Sequence, residues 1–96
     1  MRSRYVAYTR VDMAYVLGTH APETRGRVDA AGAEAWARTS EWLGLTIVDR
    51  EAGGPHDDEG IVEFVARYRQ RGQRLEHHER SRFRRIEGRW FYVDGE

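Results

Sequence analysis

Neither cysteine nor lysine occurs in this 96-residue chain. Without cysteine there is no disulfide, no thiolate chemistry and no cysteine-ligated zinc. All 16 basic residues are arginine, a bias that coding composition explains as readily as function. No stretch approaches the roughly 18 apolar residues that span a bilayer. No charged segment followed by an apolar one precedes a cleavage site. The expectation is therefore a cytoplasmic protein with no membrane partner. Phosphate-cradling loops are missing too, because Gly53-Gly54-Pro55 is not followed by Lys-Ser/Thr. Ser81 is followed by Arg82 and flanked by no glycine, so it is no nucleophile elbow.

What is present describes a globular chain with a busy surface: 40% apolar and 33% charged residues. The length predicts a single domain over residues 1–96 with a modest core. The formal net charge of zero hides an asymmetry. Residues 1–60 carry seven arginines against ten acids, and residues 61–96 carry nine against six. The two halves complement one another, which favours internal salt bridging or self-association over nucleic-acid binding.

Along the chain, helices come first. Tyr5 and Tyr8 share one helical face. Asp12 is an N-cap candidate for a short helix carrying Met13, Val16 and Leu17. Pro22–Arg27 is a loop by composition. Asp29 caps an alanine-rich helix to about Thr39, with Val28, Ala31, Ala35 and Trp36 as its expected buried stripe. Strands follow. Leu43, Leu45 and Ile47 alternate before the Gly53-Gly54-Pro55 break, and Asp57-Asp58-Glu59 reads as a solvated loop. Ile61–Tyr68, Leu75–Ile86 and Trp90–Val93 are strands, parted by turns at Gly72 and Glu87-Gly88. Helices followed by an antiparallel meander make an α+β fold of about four strands.

The turns fix which side chains share a face. Two-residue turns at Arg71-Gly72 and Glu87-Gly88 put Phe64 opposite Glu79, Ala66 opposite His77 and Phe83 opposite Tyr92. One face then carries Phe64, Ala66, Tyr68, Leu75, His77, Glu79, Ser81, Phe83, Trp90 and Tyr92. The helices should pack on it. The other face carries Arg67, Arg69, Arg74, Arg80, Arg82 and Arg84 with Phe91 and Val93. A glutamate among aromatics is the informative feature. It must find a partner, take up a proton or face a wet cavity.

Five segments are similar in order and spacing to the bacterial YchJ-like family: Arg2-Ser3-Arg4-Tyr5-Val6-Ala7-Tyr8, Glu41-Trp42-Leu43-Gly44-Leu45, Phe64-Val65-Ala66-Arg67-Tyr68, Glu79-Arg80-Ser81-Arg82-Phe83 and Gly88-Arg89-Trp90-Phe91-Tyr92-Val93-Asp94-Gly95. The resemblance spans nearly the whole chain. It implies a nuclear transport factor 2-like, cystatin-like cone, with N-terminal helices packed on a curved antiparallel sheet. The cysteine-rich SEC-C zinc motifs that family members usually carry are absent from these residues, so zinc binding does not carry over. The family implies a fold more firmly than a reaction.

The candidate pocket is Glu79, His77, Ser81, Trp90 and Tyr92 with Arg4, Tyr5 and Tyr8 from the first helix. Two readings stay open. Glu79 is a structural anchor paired to Arg4 or Arg2, the favoured reading because buried carboxylates are usually paired. Alternatively, it is a general base with a raised pKa in a ligand-binding or catalytic cavity. His77 and His78 point to opposite faces, so no metal site is expected, and no cofactor is implied. Arg67, Arg80, Arg82 and Phe91 are the candidate interface. The expected partner is a second copy of the chain meeting it through the sheet, with polyanion binding as the alternative. Trp36 and Trp42 read as core. The leading expectation is a non-enzymatic binding or interaction module.

Overall fold

A computed structural model describes residues 1–96. Four short helices, α1 (Arg2–Thr9), α2 (Met13–Gly18), α3 (Pro22–Arg25) and α4 (Ala30–Thr39), precede four strands. These are β1 (Glu41–Ala52), β2 (Glu59–Gln70), β3 (Gln73–Ile86) and β4 (Arg89–Gly95). The strands form one antiparallel meander in the order β1-β2-β3-β4. No helix is long and apolar enough to cross a membrane.

Both proposed caps form. The Asp12 carboxylate accepts from the Tyr15 amide at 3.1 Å and that of Asp29 from Gly32 at 2.9 Å. Each satisfies an amide that the first helical turn leaves unpaired. The Pro22–Arg27 stretch is not all loop. Proline at the first helical position, whose missing N–H costs nothing there, starts the single turn α3. The buried stripe of α4 also differs from the alternation expected: Ala37 is buried and Ala31 and Ala35 are exposed. Alanines on every face give the sequence no periodicity to read.

Both hairpins close as expected. Arg71 and Gly72 (φ 50° and 77°), like Glu87 and Gly88 (51° and 80°), take the paired positive φ values of type I′ turns, whose twist matches that of the strands. Phe64 pairs with Glu79, Ala66 with His77 and Phe83 with Tyr92. In β1 the expected alternation fails at Leu43. Register shifts at Leu43 and Val48 leave both side chains exposed, and Trp42 takes the inward place opposite Tyr68. An extra residue in one strand re-aims its neighbours in this way.

The helical layer covers the face holding Phe64, Ala66, Ser81 and Phe83, all buried. It is tied to β4 by backbone: the Tyr92 amide donates to Thr19 O at 2.8 Å, and the Ala21 amide donates to Tyr92 O at 2.7 Å. The Thr24 hydroxyl adds a bond to Val93 O at 2.7 Å. These bonds lock the α2–α3 connection to β4 and hold Tyr92 over the sheet.

Candidate functional site

Glu79 stands on β3 with its carboxylate turned inward. His77 Nε2 donates to its Oε1 at 3.1 Å. The Ser81 hydroxyl and, at 3.1 Å, the Tyr92 hydroxyl donate to its Oε2. His77 and Ser81 lie two residues either side on the same strand, so the period of two aims all three side chains to one face. Tyr92 reaches in from β4. Gly95, paired with Ser81, leaves room for the carboxylate. A Cβ at Gly95 would lie 2.7 Å from Glu79 Cγ and closer still to the carboxylate carbon.

Burial is the largest single influence on Glu79 and pushes its carboxyl up. The bonds from His77, Ser81 and Tyr92, with the attraction of His77, outweigh it and hold the group below the usual carboxylate range. The raised value that goes with the general-base reading is therefore corrected: the sequence puts His77, Ser81 and Tyr92 on the face of Glu79 but does not show that all three close on its carboxylate. Burial, followed by the neighbouring Glu79 charge and bond, pushes the Tyr92 phenol far up, so it stays a donor.

The expected Arg4–Glu79 or Arg2–Glu79 pair does not form; Arg2 is exposed. Arg4 is 6% exposed. Its Nη1 donates to Val16 O at 2.9 Å and to Thr19 Oγ1 at 2.7 Å, and its guanidinium lies 4.7 Å over the Tyr92 ring. Burial pulls its pKa down, opposed by Tyr8, Tyr92 and Glu79. Arg4 and Glu79 thus bracket Tyr92 without touching.

Both charges line a cavity of about 180 Å³, with His77 and Tyr92 at its polar end. Met1, Tyr5, Tyr8, Trp36, Trp42, Phe64 and Ala66 wall the rest. The rings meet edge-on: Trp36 and Trp42 are 5.0 Å apart at 70°, Tyr5 and Trp42 5.8 Å at 82°, and Trp36 and His77 5.3 Å at 65°. Edge-to-face contact suits the ring quadrupole and holds the walls without filling the space between them. Trp36 and Trp42, read from sequence as core, are cavity walls. Their ring partners Tyr5 and Tyr8, three residues apart on α1, were the available signal. Ser81 is 0% exposed and sits behind Glu79. Trp90 shares the face but not the cavity: it lies at the far end of the hairpin under the Arg85 guanidinium, 5.6 Å from the ring centroid, beside a separate depression shared with Ser3 and Phe83.

A family model described as "YchJ, middle NTF2-like domain" matches residues 1–95. The chain belongs to this family. A UPF0225 protein of Geobacter sulfurreducens is 47% identical over 95 residues, covering 99% of this chain and 59% of the relative. A UPF0225 protein of Chromobacterium violaceum is 45% identical over 95 residues, covering 99% and 69%. The chain therefore spans about three-fifths to two-thirds of these relatives. The solution structure of RPA3114, a SEC-C motif containing protein from Rhodopseudomonas palustris, aligns with a TM-score of 0.88 at 41% identity, over 100% of this chain and 73% of that one. A SEC-C motif containing protein of Psychrobacter arcticus aligns at 0.79 and 28% identity, over 98% and 56%. The YchJ middle-domain resemblance and the NTF2-like α+β fold expected from sequence are both correct.

On the outer face of this YchJ-type sheet most of the arginines, though not Arg74, have acidic partners. Arg67 meets Glu76 at 3.6 Å and Thr46 at 2.7 Å. Arg80 lies among Glu51 (2.8 Å), Glu63 (3.4 Å) and Asp49 (3.7 Å). Arg82 grips Asp94 with both arms, Nε at 2.6 Å. Arg84 meets Glu23 at 2.7 Å. Several of these bonds join the acidic first half to the basic second half. His78 turns outward to Glu63 at 2.6 Å, opposite to His77. Phe91 lies across from Arg84 and is half-buried.

Proposed function

We propose that this domain is a binding module whose working part is the aromatic-walled cavity, and that it is not a catalyst. The observation that carries the reading is that Glu79 turns its carboxylate to a cavity rather than closing on Arg4. A glutamate kept purely as an anchor needs no such space beside it. The volume slightly exceeds the roughly 150 Å³ of an engineered apolar cavity that takes up benzene, so the occupant is about one ring in size.

Chemistry is disfavoured by the order of the groups. Ser81, Glu79 and His77 include the residue types of a nucleophilic triad. In a triad, however, the histidine stands between hydroxyl and acid. Here the acid stands between, so His77 cannot take the Ser81 proton, and Ser81 is sealed from solvent. A carboxylate held below its usual range is also a weak base near neutral pH. Polyanion binding gains no support, because Arg67, Arg80, Arg82 and Arg84 already have acidic partners. Self-association through the outer sheet remains a second proposal, and would proceed over intact ion pairs.

The test uses the three tryptophans as reporters. In ¹H–¹⁵N spectra recorded with one-ring fragments, the indole signals of Trp36 and Trp42 should move and that of Trp90 should not. Fragments that move none of the three, or all three alike, defeat the reading.

A further inference from the structure

The polar end of the cavity holds two opposite charges that do not meet. Arg4 is over nine-tenths buried, yet its bonds to Val16 and Thr19 both come from Nη1. Beyond these, the guanidinium hydrogen-bonds the Tyr8 hydroxyl, which still leaves some of its donors unused. Burial pushes the Tyr8 phenol up, and the charge and hydrogen bond of Arg4 offset part of that. A guanidinium carries five donors in a rigid fork suited to carboxylate-like acceptors. A buried one with unused donors beside a cavity is an open site for an acceptor.

Glu79 is open in the complementary sense. A carboxylate offers about four lone-pair directions, and three are taken by His77, Ser81 and Tyr92. The free direction belongs to Oε1, the oxygen that holds only His77. One side of the polar end therefore asks for an acceptor and the other for a donor. The Tyr92 ring keeps the two apart, with Arg4 on its face and Glu79 at its hydroxyl.

Resting on the pocket reading above, we propose that the ligand is a compact dipolar molecule: an anionic or acceptor group bound by Arg4, a cationic or donor group bound by Glu79, and a one-ring body between Trp36, Trp42 and Phe64. Such a molecule completes both charges at once. A ligand with only one pole leaves the other buried and unpaired, which is the costly outcome. Built-in rejection of single-pole molecules makes the site selective, because an unpaired buried partner discriminates more strongly than lost apolar contact.

The experiment titrates the folded protein with four matched probes, toluene, benzoate, benzylamine and 4-(aminomethyl)benzoate, followed at the Trp36 and Trp42 indoles. The dipolar probe should bind at least about tenfold more tightly than either single-pole probe, which is about 1.4 kcal/mol. Glu79→Gln should reduce it to the level of benzoate, and Arg4→Gln to the level of benzylamine. Should Arg4→Gln fail to fold, the near-isosteric Glu79→Gln decides alone. Equal binding of benzoate, benzylamine and the dipolar probe, or a preference that survives Glu79→Gln, overturns this proposal and leaves the pocket standing. Silence from all four probes overturns the pocket reading and this proposal with it.

Discussion

Gly95→Ala should be among the more damaging small substitutions in this chain, although Gly95 is itself exposed. Its backbone does not need glycine for a left-handed φ. The objection is the Glu79 carboxylate, into which the new methyl would press. That carboxylate ends a flexible side chain, so it swings away rather than straining the strand. In swinging it abandons Ser81, which is fully buried, and Tyr92. Stranding a buried hydroxyl costs about 1–3 kcal/mol and losing a second bond about 0.5–1.5. His77, partly exposed, recovers its bond from water. The expected loss is roughly 2–4 kcal/mol, and 1 kcal/mol moves the midpoint of a domain this size by about 4–8 °C. The assay is a double-mutant cycle by urea denaturation, with Glu79→Ala as the second change. In the Glu79→Ala background the three atoms nearest the methyl are gone, and Gly95→Ala should be neutral or slightly stabilising through the unfolded chain. A coupling within about 0.5 kcal/mol of zero would refute the steric argument.

Other perturbations follow the same geometry. Glu79 is held below its ordinary value of 4.5, so its contribution is complete above that pH and is lost as pH falls through the folded value. Glu79→Gln should therefore flatten acid unfolding below about pH 4.5, read as the urea midpoint against pH. Burial first, then Arg4 and Arg25, hold His20 below 6.5. The unfolded chain takes up that proton first, so stability is full above pH 6.5 and declines as pH falls towards the folded value. His20→Gln should remove this slope in the same titration. Arg71 takes a positive φ in the first hairpin, a conformation asparagine tolerates better. Arg71→Asn should stabilise by about 0.5 kcal/mol, seen as a melting temperature about 2–4 °C higher in a thermal scan.

The sheet was far more legible than the cavity. Gly72 and Gly88 each follow a residue that can take positive φ, and a two-residue turn sets the register of every pair beyond it. The inward facing of Glu79 followed from that arithmetic alone. Leu43 misled because Leu43, Leu45 and Ile47 alternate faultlessly; only the bulge, which turns Trp42 inward, shows that they do not share a face. The partners of Glu79 were half legible. His77 and Ser81 stand two residues away on one strand, and Tyr92 follows from the second hairpin. Arg4 did not pair because Thr19, Val16 and the Tyr92 ring, brought in by the α2–α3 connection, took its guanidinium first. No periodicity in the sequence announces that connection. Trp90 fell outside the cavity for a simpler reason. Sharing a face does not mean sharing a place, and β3 is long enough for its two ends to serve different surroundings.

The irregularities of β1 reach beyond the aim of one tryptophan. As one of the two outer strands, β1 offers twelve residues of backbone along a border of the sheet. A straight border of that length is a template onto which another chain can crystallise strand by strand, the first step towards a fibre. The shifts at Leu43 and Val48 cut it into short runs, the middle one only Gly44–Ile47. An arriving strand in register with one run is out of register with the next. Restoring regularity, for instance by deleting Val48, should thus reveal itself less in the folding of one molecule than in the tendency of many to gather.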